Sequence, residues 1–213
     1  MLIKCGFKKI TYFKEKFMDY FNIDIKTYSK NYFSNLNRIL NTIDKNEIME
    51  VCNQFTIARE NKKCIYFIGN GGSATTASHM ANDLAIGTRL TSNPFRTMSL
   101  CDNNSIITAV GNDFGYDQIF TRQLSYLYNE GDLIVAISAS GNSPNLVDTC
   151  KWSKNKLTSI ALTSFEDGGE IAKICDFKIH IPTKLNEYGP AEDAHLILNH
   201  LFVSFFSENY KKT

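Results

Sequence analysis

The chain has 213 residues, 43% of them hydrophobic, the size and composition of one α/β domain with a sizeable core. Lysine plus arginine (23) almost balance aspartate plus glutamate (22), leaving a formal charge of +1. Nothing in that balance calls for nucleic acid or an anionic membrane surface as partner, whereas a small anionic ligand needs only a local site.

Residues 1–25 are rich in lysine and aromatic residues and carry a charge every few positions through Lys16, with no apolar core of signal-peptide length. They read as an N-terminal extension with at most a short helix, ahead of a single domain over 26–213. No stretch of about 18 apolar residues occurs, so no membrane span is expected. The six cysteines (Cys5, Cys52, Cys64, Cys101, Cys150, Cys175) form no C-x-x-C pair. Several fall in apolar runs, which points to a reducing, cytoplasmic setting.

From Tyr28 the apolar residues recur at helical spacing: Tyr28, Tyr32, Leu36, Ile39, Leu40 and Ile43. A second helix carries Ile48, Val51, Cys52, Phe55 and Ala58. Both precede the first strand, so they are expected to pack on the outside of the domain or against another subunit. Short apolar runs then alternate with helical stretches. Strands are predicted at Cys64–Ile68, Arg96–Leu100, Leu133–Ile137, Thr158–Leu162 and Phe177–Ile181. Helices are predicted from about Ser73, near 105–110, at 116–128 and 144–155, and over about 191–208. That alternation implies an α/β fold with a five-stranded parallel sheet flanked by helices.

In such a sheet ligands bind at the carboxyl ends of the strands. The first of these ends is Gly69-Asn-Gly-Gly-Ser73, where glycines let a ligand approach the backbone and a helix start offers free N–H groups. Gly69-x-Gly71-x-x-Ala74 also fits a relaxed dinucleotide fingerprint, but the acidic residue expected about 20 positions on is missing from Gly87-Thr-Arg-Leu-Thr. The other is Ser138-Ala-Ser140-Gly-Asn-Ser143, followed by Pro144. Three hydroxyls around one glycine suit a phosphate, and a simple serine N-cap would account for only one of them. No G-x-x-x-x-G-K-[ST] occurs, which excludes a P-loop NTPase.

His79 and Asp83 stand four apart and share a helix face. Glu192 and His200, eight apart, lie within one quadrant of the last helix. By itself H-x-x-x-D does not separate a metal ligand from a surface or core histidine. His180, inside the fifth strand, reads as structural.

Taken in order, Gly69-Asn-Gly-Gly-Ser73, the His79 helix, Val110-Gly-Asn-Asp-Phe-Gly-Tyr116, Ile137-Ser-Ala-Ser-Gly-Asn-Ser143 and His195-Leu-Ile-Leu-Asn-His200 resemble the sugar isomerase (SIS) fold. Within it they resemble the phosphoheptose isomerases, over roughly residues 28–208. The resemblance implies interconversion of D-sedoheptulose 7-phosphate and D-glycero-D-manno-heptose 7-phosphate, and a homotetramer with active sites shared between subunits. The two leading helices would serve that assembly. Asn70, Gly71, Gly72 and Ser73 then fall on the first substrate loop, Asn112 and Asp113 on the second, and Ser138, Ala139, Ser140 and Ser143 on the phosphate loop. His79, Asp83, Glu192 and His200 fall on zinc positions, and Asp83 and His200 also on the catalytic base and acid. Glu192 is counted with them as a catalytic carboxylate.

The chain departs from the family pattern at several places. Asp83 stands where glutamate is usual, Glu192 where glutamine is usual, and Ala139 where threonine is usual. Asn186–Pro190 lacks an aspartate and an arginine. Those departures bear on the sugar, so an isomerase of another sugar phosphate is one alternative. The rival class is a non-catalytic SIS sugar-phosphate binder or regulator, which would have no need of acid, base and metal positions together.

Overall fold

The computed structural model describes residues 24–210. Helix α1 (Ile25–Thr42) starts the described chain and α2 (Lys45–Glu60) follows, its N-terminus closed by Asp44, whose carboxylate accepts the Asn46 N–H at 2.8 Å. The described chain divides into two units at Arg38, a boundary that falls inside α1. The expectation for residues 1–23 lies outside the described residues. In the first unit, α1 exposes Ile25, Tyr28 and Phe33.

The second unit holds the sheet. Strand β1 (Cys64–Gly69) leads into α3 (Gly72–Asn82), a π-helical turn (Asp83–Gly87) and β2 (Arg96–Ser99). Next come α4 (Asn104–Phe114), a 3-10 turn (Tyr116–Gln118), α5 (Ile119–Leu127), β3 (Leu133–Ser138) and α6 (Pro144–Ser153). Strand β4 (Thr158–Thr163), α7 (Ile171–Ile174), β5 (Phe177–His180) and α8 (Tyr188–Tyr210) complete it. The five strands are all parallel, in the order β2-β1-β3-β4-β5. The predicted sheet is therefore the observed one, with strand ends shifted by a residue.

Strand β3 is buried throughout and β1 and β4 nearly so, as expected for strands covered on both faces. On one face Tyr66, Ile68, Ile134 and Ala136 pack with Ile119, Phe120, Leu124, Leu146 and Ile171. On the other, the Phe55 ring meets Phe67 and Phe202, with centroids 6.4 Å and 5.2 Å away. Of the two expected placements, α2 takes the first: it buries Val51, Phe55 and Ala58 within its own unit. His180 N–H donates to the Glu47 carboxylate at 2.8 Å, tying α2 to β5. His180 is thus structural, as the sequence suggests.

The strand order also fixes where the site lies. From β1 the chain moves outward to β2, while β3 lies on the opposite side, so β1 and β3 flank the topological switch point. Gly69 at the end of β1 is level with Ile137 on β3, which brings the Gly69–Ser73 and Ser138–Ser143 loops side by side at the position where open α/β sheets bind ligands. No helix among the described residues is long and apolar enough to cross a membrane.

Candidate active site

The serine loop, expected to bind phosphate, is built largely from its own backbone. Ser138, at the last position of β3, is buried and its Oγ accepts the Gly141 N–H at 3.0 Å. Ser140 Oγ accepts the Asn142 N–H at 3.3 Å. Each hydroxyl is thus oriented by a bond it accepts and keeps its own O–H for an acceptor outside the loop. Gly141 has φ +64°, and a Cβ there would come within 2.8 Å of the Gly168 carbonyl carbon, so the position needs glycine twice over. Gly141 O and Asn142 Oδ1 receive the N–H groups of Ile171 and Glu170, both at 3.0 Å, which clamps the loop to the segment before α7. Ser143 is the N-cap of α6 with Pro144 at the first helical position, and its hydroxyl makes no capping bond. Ala139 is buried with Phe165 and Ala191 and contributes no side-chain donor.

The first loop is joined to this one through amides. Asn70 and Asn145 exchange two hydrogen bonds, each 2.9 Å, and the Tyr116 hydroxyl donates to Asn70 Oδ1 at 3.0 Å. Gly71 has φ +55° and opens α3. A Cβ on Gly72 would lie 2.7 Å from Cδ of Glu192, so the Glu192 carboxylate rests directly on this loop. Ser73 is buried in the first turn of α3. Asn112 and Asp113, in the last turn of α4, are exposed and bond to each other at 2.8 Å. Neither hydrogen-bonds another candidate residue; Tyr116, just beyond them, does.

Three of the predicted acid–base and metal residues, His79, Asp83 and His200, meet where α3 faces α8. His79 Nε2 lies 3.0 Å and His200 Nε2 3.9 Å from Asp83 Oδ2. The two imidazole rings cross at 74° with centroids 5.2 Å apart. One ligand atom from each of His79, Asp83 and His200 lies within 4.8 Å of the others. Two imidazoles and a carboxylate with one side open suit a catalytic zinc, so three of the four predicted metal residues fit such an ion. Glu192 is not part of that group and makes no hydrogen bond among the described residues. Asn199, which the sequence reading passed over, donates from Nδ2 to Asp83 Oδ2 at 3.0 Å. Its signal was present: an amide on the buried stripe Ala191, Ala194, Leu198, Phe202 and Phe206. Asn145 was also missed, hidden as the second residue of a helix.

Buried His195, one turn from Glu192, lies 3.4 Å by Nε2 from Ser164 Oγ, and Ser164 N–H bonds the Ala139 carbonyl. Desolvation pushes its pKa down to about 4, so it is neutral in the folded protein at ordinary pH.

Comparison with known proteins agrees with this fold. Residues 31–164 match the SIS domain family. A phosphoheptose isomerase of Nitratidesulfovibrio vulgaris is 34% identical over 155 residues, covering 72% of this chain and 73% of that protein. One from Sulfurimonas denitrificans is 33% identical over 191 residues, covering 89% and 91%. The solved phosphoheptose isomerase of Neisseria gonorrhoeae superposes with a TM-score of 0.77 at 27% identity, covering 87% of this chain and all of that one. With a serine loop at the switch point of an SIS sheet and a His–Asp–His cluster between α3 and α8, the chain belongs to the phosphoheptose isomerase family.

Proposed function

We propose that the protein isomerises D-sedoheptulose 7-phosphate to D-glycero-D-manno-heptose 7-phosphate, a step towards heptose for surface polysaccharide. What supports this is that one unit carries both a hydroxyl-lined loop at the switch point and a His79–Asp83–His200 cluster, since a binder needs only the first. The Ser138, Ser140 and Ser143 hydroxyls and the start of α6 hold the phosphate. That anchors the sugar, whose other end carries the reacting C1 and C2.

A ketose becomes an aldose when a base takes a proton from C1 while the C2 oxygen gains one. The enediol then receives a proton at C2 and loses the one on O1, with no net change in protons or electrons. Asp83 is engaged by His79 and Asn199, whereas Glu192 has no hydrogen-bond partner among the described residues and rests against Gly72. These environments favour Glu192 as the group that moves the proton and Asp83 as the anchor of the imidazole pair. His200, exposed and beside Asp83, is the acid that serves the substrate oxygen. His79, Asp83 and His200 would hold zinc. When bound, the ion would supply Lewis-acid stabilisation of a developing oxyanion.

The assembly we infer is a homotetramer with shared sites. Helix α4 buries no residue, and Ile106, Phe114 and Tyr116 on and after it stay exposed, as do Ile25, Tyr28 and Phe33 on α1. A neighbouring subunit would cover them and give Asn112 and Asp113 a site to face. Free cysteines at Cys52, Cys64, Cys101, Cys150 and Cys175 support a reducing, cytoplasmic setting. Two measurements test the reading. Purified protein offered a panel of ketose phosphates should form the aldose from sedoheptulose 7-phosphate by NMR, and no aldose from any of them refutes the activity. Light scattering that returns a single 24.1 kDa chain at micromolar concentration refutes the assembly.

A further inference from the structure

We infer that Asn199 is a positioning residue for the reaction: its amide fixes the Asp83 carboxylate towards the His79–His200 pair. The inference rests on reading that cluster as a metal-assisted acid–base site.

Asn199 is fully buried. It sits on the face of α8 that otherwise buries Ala191, Ala194, Leu198, Phe202 and Phe206 together with His195. A carboxylate only accepts hydrogen bonds, so the Asn199 atom 3.0 Å from Asp83 Oδ2 must be the NH2 group. The amide cannot flip without setting oxygen against oxygen. Its Oδ1 is then left buried with no partner. An unpaired buried carbonyl oxygen weakens a fold, and leucine would fill similar space without that penalty. The fold therefore does not account for an asparagine here, whereas the orientation of Asp83 does.

Asp83 needs such help. Its side chain is short, and it opens the π-helical turn, where Thr88 N–H bonds the Asp83 carbonyl at 3.0 Å, five residues back. Such turns distort the helix wall locally and often accompany functional sites. His79 holds Oδ2 from Asp83's own helix, and Asn199 holds it from the buried side of α8. His200 follows Asn199 directly, so one turn of α8 supplies both a member of the cluster and the clamp on its carboxylate. Groups that orient a metal-ligating side chain tune affinity and activity without touching the ion.

The test uses the full-length protein with Asn199→Leu, and Asn199→Val in case leucine does not fit. Zinc affinity is measured by chelator competition, melting on the metal-free protein, and kcat and KM on the sugar phosphate. We expect zinc affinity and kcat to fall by about 10–100-fold. KM should stay within about twofold because the phosphate loop is untouched, and the melting temperature should hold or rise because the orphaned Oδ1 is gone. Zinc affinity and kcat both within twofold of the parent overturn the inference. So does a collapse of melting temperature in both variants, which would make Asn199 a structural residue. If the parent protein binds no zinc, the cluster reading fails by itself, and kcat of Asn199→Leu alone then decides the role of Asn199.

Discussion

The serine loop and the acid–base cluster are held in different ways. In the loop, Ser138, Gly141 and Asn142 are fixed by bonds between neighbours in sequence and by backbone N–H groups before α7. The cluster is held by side chains, His79 and Asp83 from one helical stretch and Asn199 and His200 from another more than a hundred residues on. A site made of backbone tolerates most changes but not a new Cβ or a bulky filling. A site made of side chains loses its chemistry to the change of one atom. Binding should therefore fail with the loop and turnover with the cluster, each without the other.

The largest expected effect is on turnover. Glu192→Gln should lower kcat by about 10²–10⁴-fold, the range for losing a positioned proton-transfer group, with sugar-phosphate binding kept. Asp83→Asn should lower kcat as well but should also lose zinc, measured by metal analysis. If Glu192→Gln turns over normally while Asp83→Asn is dead with its zinc intact, the roles given to the two carboxylates are reversed.

Next in size is Ser140→Leu, which removes a donor to an anion and fills the concavity. Calorimetry should show ketose-phosphate affinity reduced by at least about 10–100-fold, with circular dichroism and zinc content unchanged. Undiminished binding would remove the loop from the site.

The region that joins the two gives a pH effect. His195 sits on α8 between Glu192 and Asn199 and reaches the loop through Ser164. Its folded pKa, about 4, lies below the ordinary value of 6.5 because burial opposes the charge. The unfolded chain therefore binds the proton first as pH falls. The stability His195 contributes is complete above about pH 6.5 and is lost towards pH 4, by up to about 3 kcal/mol. Urea unfolding across that range should show the decline, and His195→Phe should flatten it. An unchanged slope in the variant would show that other groups govern the acid limit.

Smallest is Tyr116→Phe, which takes one hydrogen bond from Asn70 and leaves the Asn145 pair in place. A loss of about 0.5–1.5 kcal/mol in kcat/KM, several-fold, is expected from steady-state kinetics. A far larger loss would mean that Tyr116 touches the substrate itself.

The sequence by itself determined the sheet, the two glycine- and serine-rich turns and the division of polar labour between them. Apolar strand runs and helix spacing are local signals, and a loop whose bonds close within four residues writes its requirements into consecutive positions such as Ser138–Ser143. Local periodicity also put His79 beside Asp83 and Glu192 near His200, but only the resemblance paired the two helices. Tertiary structure alone decided the rest. It found a place inside the unit for the apolar stripe of α2, set Glu192 on Gly72 apart from the three-residue cluster, and turned Asn199 and Asn145 from unremarked amides into partners of Asp83 and Asn70. The physical reason is distance along the chain. A hydrogen bond between residues 83 and 199 depends on how two helices cross over a sheet, and no spacing within either helix records that crossing.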